Sequence, residues 1–121
     1  MSSVVDRLRA VCLAFPEAWE KDTWGHPTFR IRSRIFASLA IVEDPDWATI
    51  HALTVKAEPG EQESLVAEGH PFFLPRAAAS KGWVGVLLDD TTDFVEIAEL
   101  VEDSYRQLAP KGLVAQLDEQ S

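Results

Sequence analysis

One cysteine, Cys12, is all the chain holds, so no intramolecular disulfide can form, and a lone thiol suits a reducing compartment. No apolar run approaches the ~20 residues that a bilayer-spanning helix needs. The opening residues, Met1 to Asp6, show neither the basic start nor the apolar stretch of a signal peptide. The expectation is a cytoplasmic protein with no membrane partner. Glycine is scarce, at 6 residues, and nowhere clusters into a phosphate-cradling loop. Internal repeats, low-complexity tracts and linkers are absent, so residues 1–121 read as one domain. Basic residues are few. Eleven Lys and Arg stand against 20 Asp and Glu, a net charge of −9 that repels phosphate backbones at long range.

What is present suffices for a core. Hydrophobic residues make up 46% of the 121, and a chain of this length buries about two thirds of its unfolded surface without help from metal or disulfide. The charge is unevenly spread. Residues 21–34 carry Lys21, Arg30, Arg32 and Arg34 against one acid, Asp22, whereas residues 82–121 carry nine acids and two bases. Any affinity for anions must rest on the first of these segments.

Val4, Val5, Leu8, Val11, Cys12 and Phe15 recur at helical spacing. This predicts an amphipathic helix over residues 3–15, with Ser3 as N-cap and Pro16 as its stop. Phe29 and Ile31 alternate with Thr28, Arg30 and Arg32, the period of a half-buried strand, and Ser33 falls at a tight turn. Residues 35–41 and 50–55 read as further strands, with Glu43-Asp44-Pro45-Asp46 as the loop between them. A short helix is expected from Pro59 to about Glu68, with Gly69 just past its end. Residues 70–80 read as irregular and residues 83–88 as a strand. The last long helix is expected from about Thr92 to Leu108, on a core stripe of Phe94, Ile97, Ala98, Val101, Tyr105 and Leu108. Asp93 and Glu96 fall in its first turn, Pro110 and Gly112 end it, and one further helical turn follows from Leu113. Helices bracketing antiparallel strands predict an α+β two-layer sandwich, its helices packed on one face of a mainly antiparallel sheet.

No catalytic constellation is legible. Cys12 lies on the apolar stripe of the first helix and reads as a core residue. None of His26, His51 and His70 has metal-ligand spacing to another His or Cys. No nucleophile stands beside a base and an orienting partner. The expectation is therefore no catalytic residue, no metal and no cofactor, with His26 a turn residue bonded to backbone. Glu96, Glu99, Glu102 and Asp103 read as the solvated side of the last helix, with Glu102 pairing to Arg106. The group with binding chemistry is basic and aromatic. With Phe29 and Ile31 turned inward, Thr28, Arg30 and Arg32 face outward, and Trp24 and Trp83 can share that open face. Arginine grips phosphate or carboxylate with paired N–H groups, and tryptophan offers a stacking plane. The competing reading puts the Trp rings in the core and leaves the Arg side chains as edge charges that keep the sheet soluble.

A set of short motifs runs through the chain in order: Phe15-Pro16-Glu17-Ala18, then Trp24-Gly25-His26-Pro27-Thr28-Phe29, Ile35-Phe36-Ala37, Val55-Lys56-Ala57, Lys81-Gly82-Trp83-Val84-Gly85-Val86, and Ser104-Tyr105. On these residues the chain resembles the MmcQ/YjbR family from about residue 4 to 110. The resemblance implies a fold similar to the CyaY-like or secretion-chaperone-like α+β sandwich, and proteins of this kind are commonly labelled DNA-binding. The functional expectation is a non-enzymatic binding module. Its site would be a sheet face with Trp24, His26, Arg30, Arg32, Lys56 and Trp83, binding nucleic acid weakly. A small anionic metabolite or an acidic protein partner is the alternative ligand.

Overall fold

A computed structural model describes residues 3–23, 25–42, 49–75 and 81–120. Helix α1 (Val4–Leu13) begins where the Ser3 hydroxyl accepts the Asp6 N–H at 3.1 Å. It stops two residues short of the expected end, because the chain turns at Ala14 and sends the Phe15 ring inward to stack on Tyr105, centroids 5.0 Å apart. Four strands follow: β1 (Trp19–Thr23), β2 (His26–Ile31), β3 (Arg34–Val42) and β4 (Ile50–Lys56). Next come α2 (Glu61–Ala67), β5 (Phe72–Phe73), β6 (Trp83–Leu88), α3 (Phe94–Leu108) and α4 (Lys111–Gln120).

Four local expectations need correction. Pro59 lies before α2, because the N-cap Gly60 is left-handed at φ +85°, and that break in helical backbone keeps Pro59 out of the first turn. The stretch expected to be irregular holds β5, too short for any alternation to be visible in two residues. Asp93 is the N-cap of α3 and not part of its first turn, its carboxylate accepting the Val95 N–H at 2.9 Å. Beyond Leu108 there is a whole ten-residue helix, with Gly112 inside it. Pro110 just precedes that helix, where its missing N–H costs nothing. Leu113 is buried, and the Arg106–Asp118 pair at 2.7 Å ties α4 to α3.

The sheet has six strands in the order β1-β2-β3-β4-β6-β5, every neighbouring pair antiparallel. Register aligns Phe29, Ala37, Val55 and Val84 in one row, and Leu39, Leu53, Val86 and Phe72 in the next. All eight are buried, beneath Leu8 and Cys12 of α1 and Ile97, Val101 and Tyr105 of α3. Each fully buried aliphatic or aromatic side chain contributes about 1.5–3 kcal/mol. The architecture is the expected α+β one, an antiparallel sheet with its helices on one face.

Between Phe29 and Arg30 the β2–β3 register slips: Phe29 faces Ala37, Arg30 faces Ile35, and Phe36 is the extra residue. Such a bulge re-aims side chains. Here it turns Phe36 to the helix side, edge-on to Tyr105 at 5.4 Å, and leaves Arg30 on the other face.

Candidate functional site

The sheet face away from the helices is built from the alternate residues. One register row runs Thr28, Ser38, Thr54, Gly85, Phe73, and the parallel row toward β4's end pairs Lys56 with Trp83. Ala40 faces Ala52 on the other side of the hydroxyl row. Apart from Lys56 at the end of β4, the middles of the two central strands carry small residues on this face, while the flanking strands carry Arg30 on one side and Phe73, Trp83 and Leu87 on the other. Gly85 belongs to this relief: a Cβ there would fall onto the Phe73 ring, so glycine is what lets the ring lie flat on the sheet.

Arg30 is half-buried and held by neutral partners. Its Nε donates to the Thr28 hydroxyl and its Nη2 to the Thr23 hydroxyl, each at 3.2 Å. Thr28 donates in turn to the Lys21 carbonyl at 2.7 Å, which fixes its lone pairs toward Arg30. The guanidinium also sits 5.7 Å from the Trp19 ring, within cation–π range. No carboxylate pairs with Arg30 among the described residues. Arg9 meets Glu20 at 2.7 Å, Arg32 meets Glu17 at 3.5 Å, and Arg106 meets Glu102 and Asp118, whereas Arg7, over the Phe94 ring, and Arg34, on the Leu108 carbonyl, share with Arg30 the lack of a carboxylate partner among the described residues. Lys56 also lacks an ion-pair partner among the described residues, and the Ser38 and Thr54 hydroxyls have no hydrogen bond there.

His26 and Cys12 are respectively occupied and shielded. The Ile41 N–H donates to His26 Nδ1 at 3.2 Å, which makes Nε2 the protonated nitrogen. Cys12 is fully buried, and burial, then the nearby charge of Glu20, push its thiol well above the ordinary range, the opposite of an activated nucleophile. A cavity of about 250 Å³ beside β6 is lined by His70, Leu87, Asp89, Asp93 and Glu96 among others. Two of its acids already serve the backbone: Asp89 accepts from Thr91, which holds its carboxyl below the usual range, and Asp93 caps α3. Among the described residues no three His, Cys, Asp or Glu side chains form a group able to hold a metal, and no helix is long and apolar enough to cross a membrane.

The model of the YjbR family matches residues 13–107. The chain belongs to the YjbR family. Among solved structures, this YjbR chain is similar to the Deinococcus radiodurans protein DR2400, which carries a DUF419 domain. The two share 30% identity over 89% of this chain and 80% of that one, with a TM-score of 0.72. It shares a fold with a Pseudomonas syringae protein solved as a structural genomics target, at 17% identity over 88% of this chain and 98% of that one, TM-score 0.70. No curated protein matches the sequence at a significant level. The family match begins in α1 and ends in α3, so it takes in the whole sheet.

Of the site residues expected from sequence, Arg30, Lys56 and Trp83 share the open face of the YjbR sheet. His26 stands at its margin, at the start of β2 with its imidazole turned to the β3 backbone. Arg32 does not share the face. The strand ends at Ile31, and Arg32 occupies the β2–β3 turn at φ +57°, exposed and next to Glu17. A two-residue turn needs a left-handed residue, and that requirement overrides the alternation that would have aimed Arg32 with Arg30. Trp24 and the loop at residues 43–46 lie outside the described residues. Sequence reasoning missed Trp19, Thr23, Ser38, Thr54 and Phe73. A signal existed for two of them: folding residues 19–23 back on β2 about the Gly25 turn sets Trp19 opposite Arg30 and Thr23 opposite His26.

Proposed function

We propose that this YjbR-family chain is a non-enzymatic binding module that takes an anionic ligand on the open face of its sheet, with Arg30 as the anchoring cation. The observation that carries the reading is the company Arg30 keeps. A guanidinium held by two hydroxyls and a tryptophan ring retains its full charge, and its Nη1 stays available for a phosphate or carboxylate oxygen. Half-burial strengthens any such contact relative to one made in open water. Lys56 adds a second cation, and the Ser38 and Thr54 hydroxyls add neutral donors in the adjacent row of the same face.

Weak binding of nucleic acid is the polymeric form of the same reading. It is supported by the ring that accompanies each cation, Trp19 opposite Arg30 and Trp83 opposite Lys56, since bases stack on such planes without regard to sequence. A single strand suits a flat face with two cations better than a duplex, which needs a run of phosphate contacts.

The test is a thermal melt with inorganic phosphate and with a nucleoside monophosphate, on the wild type and on Arg30→Gln, which keeps an amide donor for the threonines but loses the charge. A ligand at 100 times its dissociation constant stabilises by about 2.7 kcal/mol. The melting temperature should rise for the wild type and stay fixed for Arg30→Gln. Equal rises in both proteins, or none in either, would sink the proposal.

A further inference from the structure

We propose that the groove between α1 and α3, on the side of these helices away from the sheet, docks an amphipathic helix whose apolar stripe is bordered by Lys and Arg. The groove encloses about 550 Å³ and is walled by Val11, Ala14 and Phe15 on one side and by Phe94, Val95 and Ala98 on the other. Val11, Phe15 and Phe94 also pack partly against the core, and the groove is formed by the flanks they leave uncovered together with Ala14, Val95 and Ala98. α1 has already buried Leu8 and Cys12, and α3 has buried Ile97, Leu100 and Val101. Val95 is 71% exposed, the most exposed large apolar side chain of the described residues. Single apolar residues on a surface are ordinary, but a contiguous strip across two helices marks a contact surface.

Charge selects the occupant. The polar lining of the groove is Glu99 and Glu102. Glu102 is engaged by Arg106 at 3.1 Å, while Glu99 is exposed with no ion-pair partner among the described residues, and Glu96 stands exposed one turn earlier. Two cations stand nearby, Arg7 over the Phe94 ring at 4.2 Å and Arg106 held by Glu102 and Asp118, and neither pairs with Glu99. A second copy of this chain would bring another net charge of −9, so self-association is opposed by repulsion. A basic helix is drawn by the same field. Its shape fits as well: α3 has 15 residues, about 22 Å of length, and the furrow between two packed helices receives a third by ridges-into-grooves packing.

The probe is a fluorescently labelled peptide of about five helical turns, with Leu at i, i+3, i+4 and i+7 and Lys at the remaining positions, titrated by anisotropy against the full chain. A companion peptide keeps the Leu stripe and replaces Lys with Glu. The Leu/Lys peptide should saturate and the Leu/Glu peptide should not. Val95→Ser and Glu99→Lys, both at exposed positions that leave the core untouched, should each weaken binding about fivefold to tenfold. Glu63→Lys, an equal change of charge on α2 and away from the groove, should leave it unchanged. Equal weakening by Glu63→Lys would overturn the proposal, since the attraction would then belong to the whole acidic surface. So would equal binding of the Leu/Glu peptide. Sedimentation that shows a dimer lost on Val95→Ser would also overturn it, by making a second copy the occupant.

Discussion

Ser104 of α3 donates its hydroxyl to the Phe36 carbonyl of β3 at 2.6 Å and receives the Lys56 N–H of β4 at 3.0 Å. The β3–β4 register ends at Ala37 and Val55, and Phe36 and Lys56 are the residues one step beyond it, Phe36 being also the extra residue of the β2–β3 bulge. One helix hydroxyl therefore bridges the two strands past the end of the ladder, and the Gln107 amide holds the Lys56 carbonyl at 3.0 Å beside it. Ser104→Ala leaves a donor and an acceptor without partners in a buried place. The expected loss is about 2–3 kcal/mol in urea unfolding, since each orphaned group costs about 1–3 kcal/mol. A loss below about 0.5 kcal/mol would show that the strands close on each other without the bridge.

Tyr105, the next residue, is fully buried, and its hydroxyl donates to the Pro16 carbonyl at 2.8 Å. Burial, and then the charge of Glu17, raise its pKa above the ordinary phenol value. The sign follows directly: the folded state holds the proton more tightly than the unfolded one. Stability from this group is complete below the unfolded value of about 10 and is lost as pH climbs through the folded one. Tyr105 is the sole tyrosine, so tyrosinate absorbance reports it alone. The native protein should titrate later than the urea-unfolded one. Tyr105→Phe should cost about 1 kcal/mol at neutral pH and should flatten the alkaline fall in stability. Coincident titration curves for native and unfolded protein would refute the account.

Asp103 makes the opposite use of its surroundings. Partial burial comes first, then repulsion from Glu58, Glu102 and Glu99, with Arg106 only partly offsetting them, and together they raise its pKa. Glu61 of α2 is raised as well, by burial and then by Asp103. A carboxyl that the folded state prefers protonated destabilises that state once it is ionised. Its penalty is absent at pH values below the ordinary carboxyl range and grows as pH rises through that range. Asp103→Asn should therefore raise the melting temperature at pH 7, and the gain should shrink as pH falls toward about 4. A gain independent of pH would assign the effect to something other than this charge.

The layers of the fold were legible because they depend on repeating patterns. Leu8 and Cys12, or Ile97, Val101 and Tyr105, recur at helical spacing, and Phe29 and Ile31 alternate, so the core face could be read directly. The open face could be read only in part. Arg30 and Trp83 declared themselves by their chemistry, but Ser38 and Thr54 are ordinary strand residues until register sets them opposite one another. The bulge at Phe36 and the left-handed Arg32 break the alternation just where it was being used to aim side chains. The partners of Arg30 come from β1 and from two positions earlier on β2, and only the pairing of β1 with β2 brings Thr23 and Trp19 to it. The α1–α3 groove was illegible for another reason. Val95 belongs to neither the core stripe nor the charged face, Ala98 reads from sequence as part of the core stripe itself, and their place in a groove is visible only once α1 lies alongside.

The nucleic-acid form of the proposal makes a prediction about strand number as well as affinity. Each phosphate contact requires a nearby cation, and release of its counterion makes affinity fall with salt. The open face supplies Arg30 and Lys56, on strands two places apart in the sheet, hence about 10 Å from each other. A duplex adds a second phosphate strand to a chain whose net charge is −9, and screening over about 8 Å at physiological salt does not remove that repulsion. Duplex binding should therefore be no tighter than about 10⁻⁵ M at physiological salt. A single strand of the same sequence should bind more tightly, because each stacked base adds about 1–3 kcal/mol that a paired base cannot. Anisotropy titrations at two salt concentrations measure both. The salt slope for the single strand should fall by about one contact in Arg30→Gln and stay unchanged in Arg32→Gln, whose side chain stands in the turn beside Glu17. Sub-micromolar duplex binding at physiological salt would overturn this form of the proposal, and single-strand binding that survives Arg30→Gln with its slope intact would move the site off the open face.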